Sequence, residues 1–252
     1  MIKTALKHLL QSSGYKIFAN EQMPVGFNWL LDVERLARPA DISTIFDVGA
    51  NAGQTTTLLN ARFPSAKIFS FEPLASTFSA LKKNTAGLSN VNCINFALGR
   101  ENSVLNLHPK TASTQNSLLP DINQPNGAPA ESIRVTTVDE TLGANHLDHL
   151  NLLKTDTEGF DLEVIAGAKA ALSRGAIDML VVEVGFHPQR RHHTYLPDVQ
   201  AALLEHGYDL YCIYDQNHYD GRIDYADALF VSPSIQKNCS RSYAETFVRH
   251  AE

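Results

Sequence analysis

The stretch IFDVGANAGQTTTLL, residues 45–59, runs an apolar strand into Asp47 and then sets Gly49 and Gly53 around Asn51. A strand, a glycine turn and a following helix open a nucleotide-binding βαβ unit, whose ligand lies at the carboxyl ends of the strands. Here the spacing is Gly-x-Asn-x-Gly rather than the dinucleotide form, and Thr56 stands where a third glycine would be expected. The acid is more informative than the glycines. A carboxylate just ahead of this turn would repel a pyrophosphate in a poorly screened cleft, but it suits a phosphate-free ligand that carries positive charge.

S-adenosylmethionine, with its ammonium and sulfonium groups, is such a ligand. A second acid agrees with it: IFSFEP finishes the next strand and places Glu72 19 positions after Gly53, where an acid commonly accepts hydrogen bonds from a ribose diol. Glu72 alone fits NAD equally well, so the preference rests on Asp47.

Outward from this stretch, short β-branched or aromatic runs alternate with helical segments, the pattern of parallel strands joined by crossover helices. Strands are predicted at 44–48, 67–71, 91–95, 151–155, 179–184, 208–214 and 227–232, with helices following Gly53, Pro73, Gly159 and Pro197. SVLNLH (103–108) and SIRVTTV (132–138) read as additional strands within an insertion at about 103–135, and the Pro, Asn and Gly cluster at 120–129 reads as a loop. The expected organisation is an N-terminal helical extension over 1–40, one α/β domain over 41–235 and a tail over 236–252. In the extension, Ile2, Leu6, Leu9 and Leu10 have amphipathic helical spacing, while Lys7 and His8 interrupt any signal-peptide core.

Composition narrows the function classes. With 252 residues, 44% of them apolar and 19% charged, the chain can build a full core. A formal charge of −6 gives no field for nucleic acid, and no local basic patch is evident beyond Arg190 and Arg191. No run approaches the roughly 20 apolar residues of a membrane span. Cys93, Cys212 and Cys239 are too few and too scattered for a disulfide framework or a CxxC metal site, and a reduced, cytoplasmic setting is expected.

FDVGANAGQTT (46–56), FSFEPLASTFSALKKN (69–84), NFALG (95–99), VTTVDETL (135–142) and LLKTDTEGFDLEVIAGA (152–168) together resemble the FkbM family of class I S-adenosylmethionine-dependent methyltransferases. The resemblance implies a Rossmann-like α/β fold: a seven-stranded, mostly parallel sheet with one antiparallel strand and helices on both faces. It implies methyl transfer, most often to a hydroxyl of a sugar, glycan or secondary-metabolite acceptor. Asp47, Gly49, Asn51 and Gly53 would line the methionine and ribose portion of the donor. Glu72 would hold the ribose hydroxyls, and Asn95, Ala97 and Leu98 would flank adenine.

Methylating an alcohol requires its proton to leave, and a general base contributes about 10²–10⁴-fold. Asp156 and Glu158 fall at the carboxyl end of the fourth core strand, and Glu183 and His187 at the end of the next. Asp156, Glu158 and His187 are therefore the expected catalytic residues. His192 and His193 read as a solvated loop, and Arg190 and Arg191 as solvent-facing or as partners for an acceptor anion. Mg²⁺ held by Asp156, Glu158 and a further oxygen is the less favoured alternative. NAD-linked oxidation and a non-catalytic, cofactor-binding scaffold are the competing functions.

Overall fold

The computed structural model describes residues 12–13, 23–107, 131–190 and 192–237. The predicted helix at the extreme N-terminus, the loop at 120–129, Arg191, Cys239 and most of the predicted tail lie outside the described residues. In chain order the elements are α1 (Trp29–Leu36), β1 (Thr44–Val48), α2 (Gln54–Arg62), β2 (Lys67–Phe71), α3 (Ala75–Asn84), β3 (Val91–Ile94), β4 (Ala97–Leu98), β5 (Ser103–Leu107) and β6 (Glu131–Thr136). They continue with α4 (Val138–Ala144), β7 (Leu150–Thr155), α5 (Asp161–Ala166), α6 (Lys169–Ser173), β8 (Ile177–Gly185), β9 (Thr194–Tyr195), α7 (Leu196–Leu204), β10 (Asp209–Tyr219) and β11 (Arg222–Val231).

The main sheet runs β10-β11-β8-β7-β1-β2-β3, with the short β9 paired to β8. Its core pairs are parallel, and β11 alone runs against both neighbours. This is the Rossmann-like arrangement expected from the sequence. The order reverses direction beside β1, so the crevice between the loops after β1 and β7 is where an open α/β sheet collects its ligands. β4, β6 and β5 form a separate small sheet.

Both faces of the sheet are covered, which is why its strands read as nearly continuous apolar runs. Phe46, Val48, Leu153, Val182 and Val184 pack against α4 to α7, while Ile45, Leu152, Met179 and Val181 pack against α1 and α2. Each fully buried Leu, Ile or Phe contributes about 1.5–3 kcal/mol. Strand alternation then assigns Asp47, Lys154, Glu183 and Asp227 to the α1/α2 face. In register, Asp47 lies opposite Lys154, and Glu183 opposite Asp227.

Several boundaries differ from expectation; SIRVTTV ends as a strand at Thr136, and Val138 opens α4. β10 and β11 extend well past the predicted runs into a polar hairpin, closed by Asp220 (φ 52°) and Gly221 (φ 71°). Asp-Gly is a strong two-residue hairpin signal; the flanking residues are exposed, so apolar periodicity does not mark them. α7 begins at Leu196, with Pro197 inside its first turn, where a missing N–H costs nothing.

Asp32, fully buried in α1, accepts hydrogen bonds from Gly26 N (2.7 Å) and the Tyr214 hydroxyl (2.8 Å), tying that helix to β10. Among the described residues, no helix is long and apolar enough to cross a membrane.

Candidate functional site

The turn after β1 is shaped by contacts that only glycine allows. Gly49 has φ +81°, and a Cβ there would lie 1.9 Å from the Asp156 carbonyl oxygen. The backbones after β1 and β7 thus cross in contact, with Asp156 N donating to Val48 O at 3.0 Å. Asn51 (φ 48°) continues the left-handed path, and Gly53 (φ +93°) caps α2.

Asp47 is 2% exposed and accepts a 2.6 Å hydrogen bond from the Thr56 hydroxyl, which also lies 3.0 Å from Ser70 Oγ. Burial pushes the Asp47 carboxyl up to about 6, with the Thr56 bond and the Lys154 charge pulling it back. Thr56, at the position of the absent glycine, therefore serves to anchor the acid. Glu72 clamps two loops at once, accepting from Asn51 N (3.1 Å) and Leu74 N (3.0 Å). Burial raises it to about 7, against those two bonds. Each of its oxygens keeps a second lone pair for a ligand hydroxyl.

Asn95, expected near adenine, spends both amide protons on the carbonyls of Glu72 (2.9 Å) and Pro73 (2.8 Å). Ala97 and Leu98 are closed in at 4% and 1% exposure on β4. This segment thus braces the Glu72 loop.

Lys154 is a buried cation inside the otherwise largely apolar β7. Its Nζ lies 3.4 Å from both Asp156 Oδ2 and Asp227 Oδ1. Burial alone would lower its pKa, but Asp156, Asp227, Glu183 and Asp47 together raise it above the ordinary value. The signal was present: a lysine in a strand buried on both faces needs carboxylates around it. Asp156, with a side chain 40% exposed, is the open end of this network.

The next residues turn sharply. Glu158 (φ 54°) and Gly159 (φ 94°) are both left-handed. For Glu158 that conformation is unfavourable, a cost typical of positions that aim a functional group. Fully buried Asp161 holds the turn by accepting from the Thr155 hydroxyl, from Thr157 N (3.2 Å) and from the Thr194 hydroxyl (2.9 Å). The last bond ties β9 to the β7 turn.

Immediately before β9, His193 Nδ1 lies 3.0 Å from Glu183 Oε2, and the ring stacks on Tyr225 at 4.2 Å and 16°. A Cβ on Gly185 would come 2.9 Å from the His193 Cβ, so glycine lets the histidine pass close to β8. Polar atoms of Glu158, Glu183 and His193 lie within 4.8 Å of one another, a set that does not include Asp156, the other acid expected to hold Mg²⁺. Burial, with the charges of Glu183 and Asp156 adding to it, raises Glu158 to about 8. Burial also raises Glu183, with the His193 bond opposing. For His193, burial lowers the pKa, but the Glu183 hydrogen bond and the charges of Glu183, Glu158 and Asp224 leave it above the ordinary histidine value.

The structure thus brings Asp47, Glu72, Asp156 and Glu158 to one sheet edge, joined by Lys154, Glu183 and His193. His187 sits in the turn after β8, and among the described residues no hydrogen bond reaches its ring. His192 is exposed, in keeping with a solvated loop. Arg190 is engaged within the chain, 2.5 Å from Asp224 and 4.7 Å over the Tyr219 ring.

Comparison with known proteins agrees with this architecture. The chain is 31% identical over 146 residues to Methyltransferase 1 of Beauveria bassiana, covering 50% of this chain and 59% of that one. It is 24% identical over 155 residues to 2-O-methyltransferase NoeI of Sinorhizobium fredii (56% and 63%). With hexuronic acid methyltransferase AglP of Haloferax volcanii the figures are 23% over 141 residues (56% and 55%). The chain therefore spans less than two-thirds of each of these relatives. Residues 47–210 match the Methyltransferase FkbM domain, and with the sheet order and acid-lined turns described above, the chain belongs to the FkbM methyltransferase family.

Proposed function

We propose that this protein is an S-adenosylmethionine-dependent O-methyltransferase acting on a hydroxyl of a sugar-containing or other small hydroxylated acceptor. The observation that carries the reading is electrostatic. Asp47 and Glu72 stand at the carboxyl ends of β1 and β2 beside the crevice, and the one cation beneath them among the described residues, Lys154, is committed to Asp156 and Asp227. A pyrophosphate would meet carboxylates here; an ammonium and a sulfonium find partners. NAD-linked oxidation is disfavoured by the same charges.

In this reading the cofactor supplies a methyl group activated by positively charged sulfur, and the residues of the chain do the rest. Glu72 accepts from the ribose hydroxyls while its grip on Asn51 N and Leu74 N fixes its position. Asp47, held by Thr56, and the open carboxylate of Asp156 balance the donor's charge. Glu158 and the residues across from it face the acceptor. Fixing donor and acceptor in line supplies much of the acceleration.

Oxygen as the receiving atom is supported by 2-O-methyltransferase NoeI among the relatives, and by Asp156-Thr157-Glu158-Gly159 standing where an amino nitrogen would call for a ring of carbonyls. The test is calorimetry on the full chain at pH 8, titrating S-adenosylhomocysteine and, separately, NADH. Micromolar S-adenosylhomocysteine binding, weakened at least tenfold in D47N and E72Q, is expected. No heat up to millimolar ligand, or NADH binding in its place, would refute the proposal. Radiolabelled S-adenosylmethionine offered with methyl glycosides, hexuronic acids and polyols then narrows the acceptor.

A further inference from the structure

Rotation of a free imidazole is normally unrestricted, yet four separate elements converge on His193. β8 provides Glu183, 3.0 Å from Nδ1. β11 provides Tyr225, against which the ring stacks, and Asp224, whose charge reaches it. The β7 turn provides Glu158, within 4.8 Å of the Glu183 and His193 polar atoms. Asp161, at the start of α5, fixes the adjoining residue through the Thr194 hydroxyl at 2.9 Å. A ring needed only as packing would not require a half-buried carboxylate on one nitrogen, because burying that charge is costly.

We infer that His193, oriented by Glu183, is the base that takes the proton of the acceptor hydroxyl. Glu183 accepts from Nδ1–H, which leaves the lone pair of the neutral ring on Nε2. As the hydroxyl oxygen bonds to the methyl carbon, the carbon–sulfur bond breaks with its electron pair going to sulfur. The hydroxyl proton passes to Nε2, and Glu183 stabilises the imidazolium until solvent removes the proton. Glu183 and Asp161 are positioning residues in this scheme. It rests on the O-methyltransferase reading and adds to it the identity of the proton acceptor.

The test uses the full chain with ¹⁵N-labelled histidine and bound S-adenosylhomocysteine, observed by NMR across a pH series. The His193 signals, assigned by their loss in H193Q, should show the Nδ1–H neutral tautomer. E183Q should lower their midpoint by about one pH unit, the scale of a lost opposite charge. On a methyl glycoside that the wild type methylates, H193Q should lower kcat by about 10²–10⁴-fold, leave the donor KM unchanged and remove the acid limb of the pH–rate profile.

An Nε2–H tautomer, or a midpoint unmoved by E183Q, would overturn the assignment. So would saturable Mn²⁺ binding that broadens His193 and is lost in E183Q, since a metal would displace the Nδ1 proton. Retained S-adenosylhomocysteine binding in H193Q shows that the variant is folded. Failure of the wild type to bind S-adenosylhomocysteine instead counts against the methyltransferase reading itself, whatever the histidine's tautomer.

Discussion

Replacing Lys154 with Met keeps the aliphatic stem and removes the charge at the centre of four carboxylates. Lys154 is 3% exposed, and each of its 3.4 Å ion pairs is worth about 5 kcal/mol of attraction at an effective dielectric of about 20. Asp156 is 40% exposed, so water screens most of its share. Asp227 is 18% exposed and keeps nearly the full loss. Against this stands the several kcal/mol saved by no longer burying the ammonium, which leaves a net destabilisation of about 3 kcal/mol. For a chain of this size that lowers Tm by about 6–12 °C at pH 8.

The loss should depend on pH. Without Lys154, Asp47 and Glu183 ionise at higher pH in the folded chain, whereas the unfolded chain titrates near pH 4. An acid whose folded pKa is raised gives up stability as pH climbs from the unfolded value through the folded one. The K154M penalty is therefore largest at pH 8, above the wild-type Asp47 value of about 6, and shrinks toward pH 5.5. Thermal and urea melts of both proteins at the two pH values measure it. A loss under about 1 kcal/mol at pH 8, or one equal at both, would show that the lysine does not serve as the counter-charge.

G49A should fail to accumulate as folded protein, because its Cβ at φ +81° would stand 1.9 Å from a backbone oxygen; a soluble variant with a Tm near the wild type would contradict the loop crossing. T56V removes the 2.6 Å bond to Asp47, a charge-assisted contact worth about 1.5–3 kcal/mol, so the acid ionises later and S-adenosylhomocysteine affinity falls more at pH 6.5 than at pH 8, readable by calorimetry. The ligand-free wild type should lose stability as pH rises from about 4 through the Asp47 and Glu72 values of about 6 and about 7, and urea melts of D47N and E72Q should show a shallower slope. D161N should weaken the fold by about 2–4 kcal/mol and detach Thr194 from the β7 turn, seen as faster amide exchange at 192–195.

Reading the fold from the sequence succeeded where one physical signal dominated. A parallel strand covered on both faces is nearly continuous in apolar residues, so TIFDV and KIFSF could be located to the residue. The polar half of the β10–β11 hairpin has no core to face, and only its Asp-Gly turn announces it. Within the site, Asp47 and Glu72 stand out in the sequence by position, the first just ahead of the glycine turn and the second 19 positions after Gly53. Lys154 lies inside a strand where burying a charge is costly, yet its meaning depends on Asp227, which arrives from an antiparallel strand 73 positions later.

The histidines show the limit most clearly. Proximity in sequence to the end of β8 favoured His187, six residues before His193. The chain leaves the sheet at Gly185 and returns as β9, parallel to β8 with Thr194 in register with Val184. That return brings position 193 back beside Glu183, ten residues earlier in the chain, while position 187 stays in the outgoing turn. The pairing is permitted by the missing side chain of Gly185 and secured by Asp161 through Thr194. Neither relation leaves a periodic trace, because β9 is two residues long. Which histidine stands opposite Glu158 is thus decided by one glycine and one buried carboxylate on different elements. Restoring a Cβ with G185A should accordingly push the His193 backbone away and disrupt its bond to Glu183 while leaving the Asp47–Glu72 crevice intact. S-adenosylhomocysteine affinity within about twofold of wild type, together with loss of the Nδ1–H tautomer, is the expected result. Equal damage to both would mean that the crevice and the histidine pair are one cooperative unit rather than two.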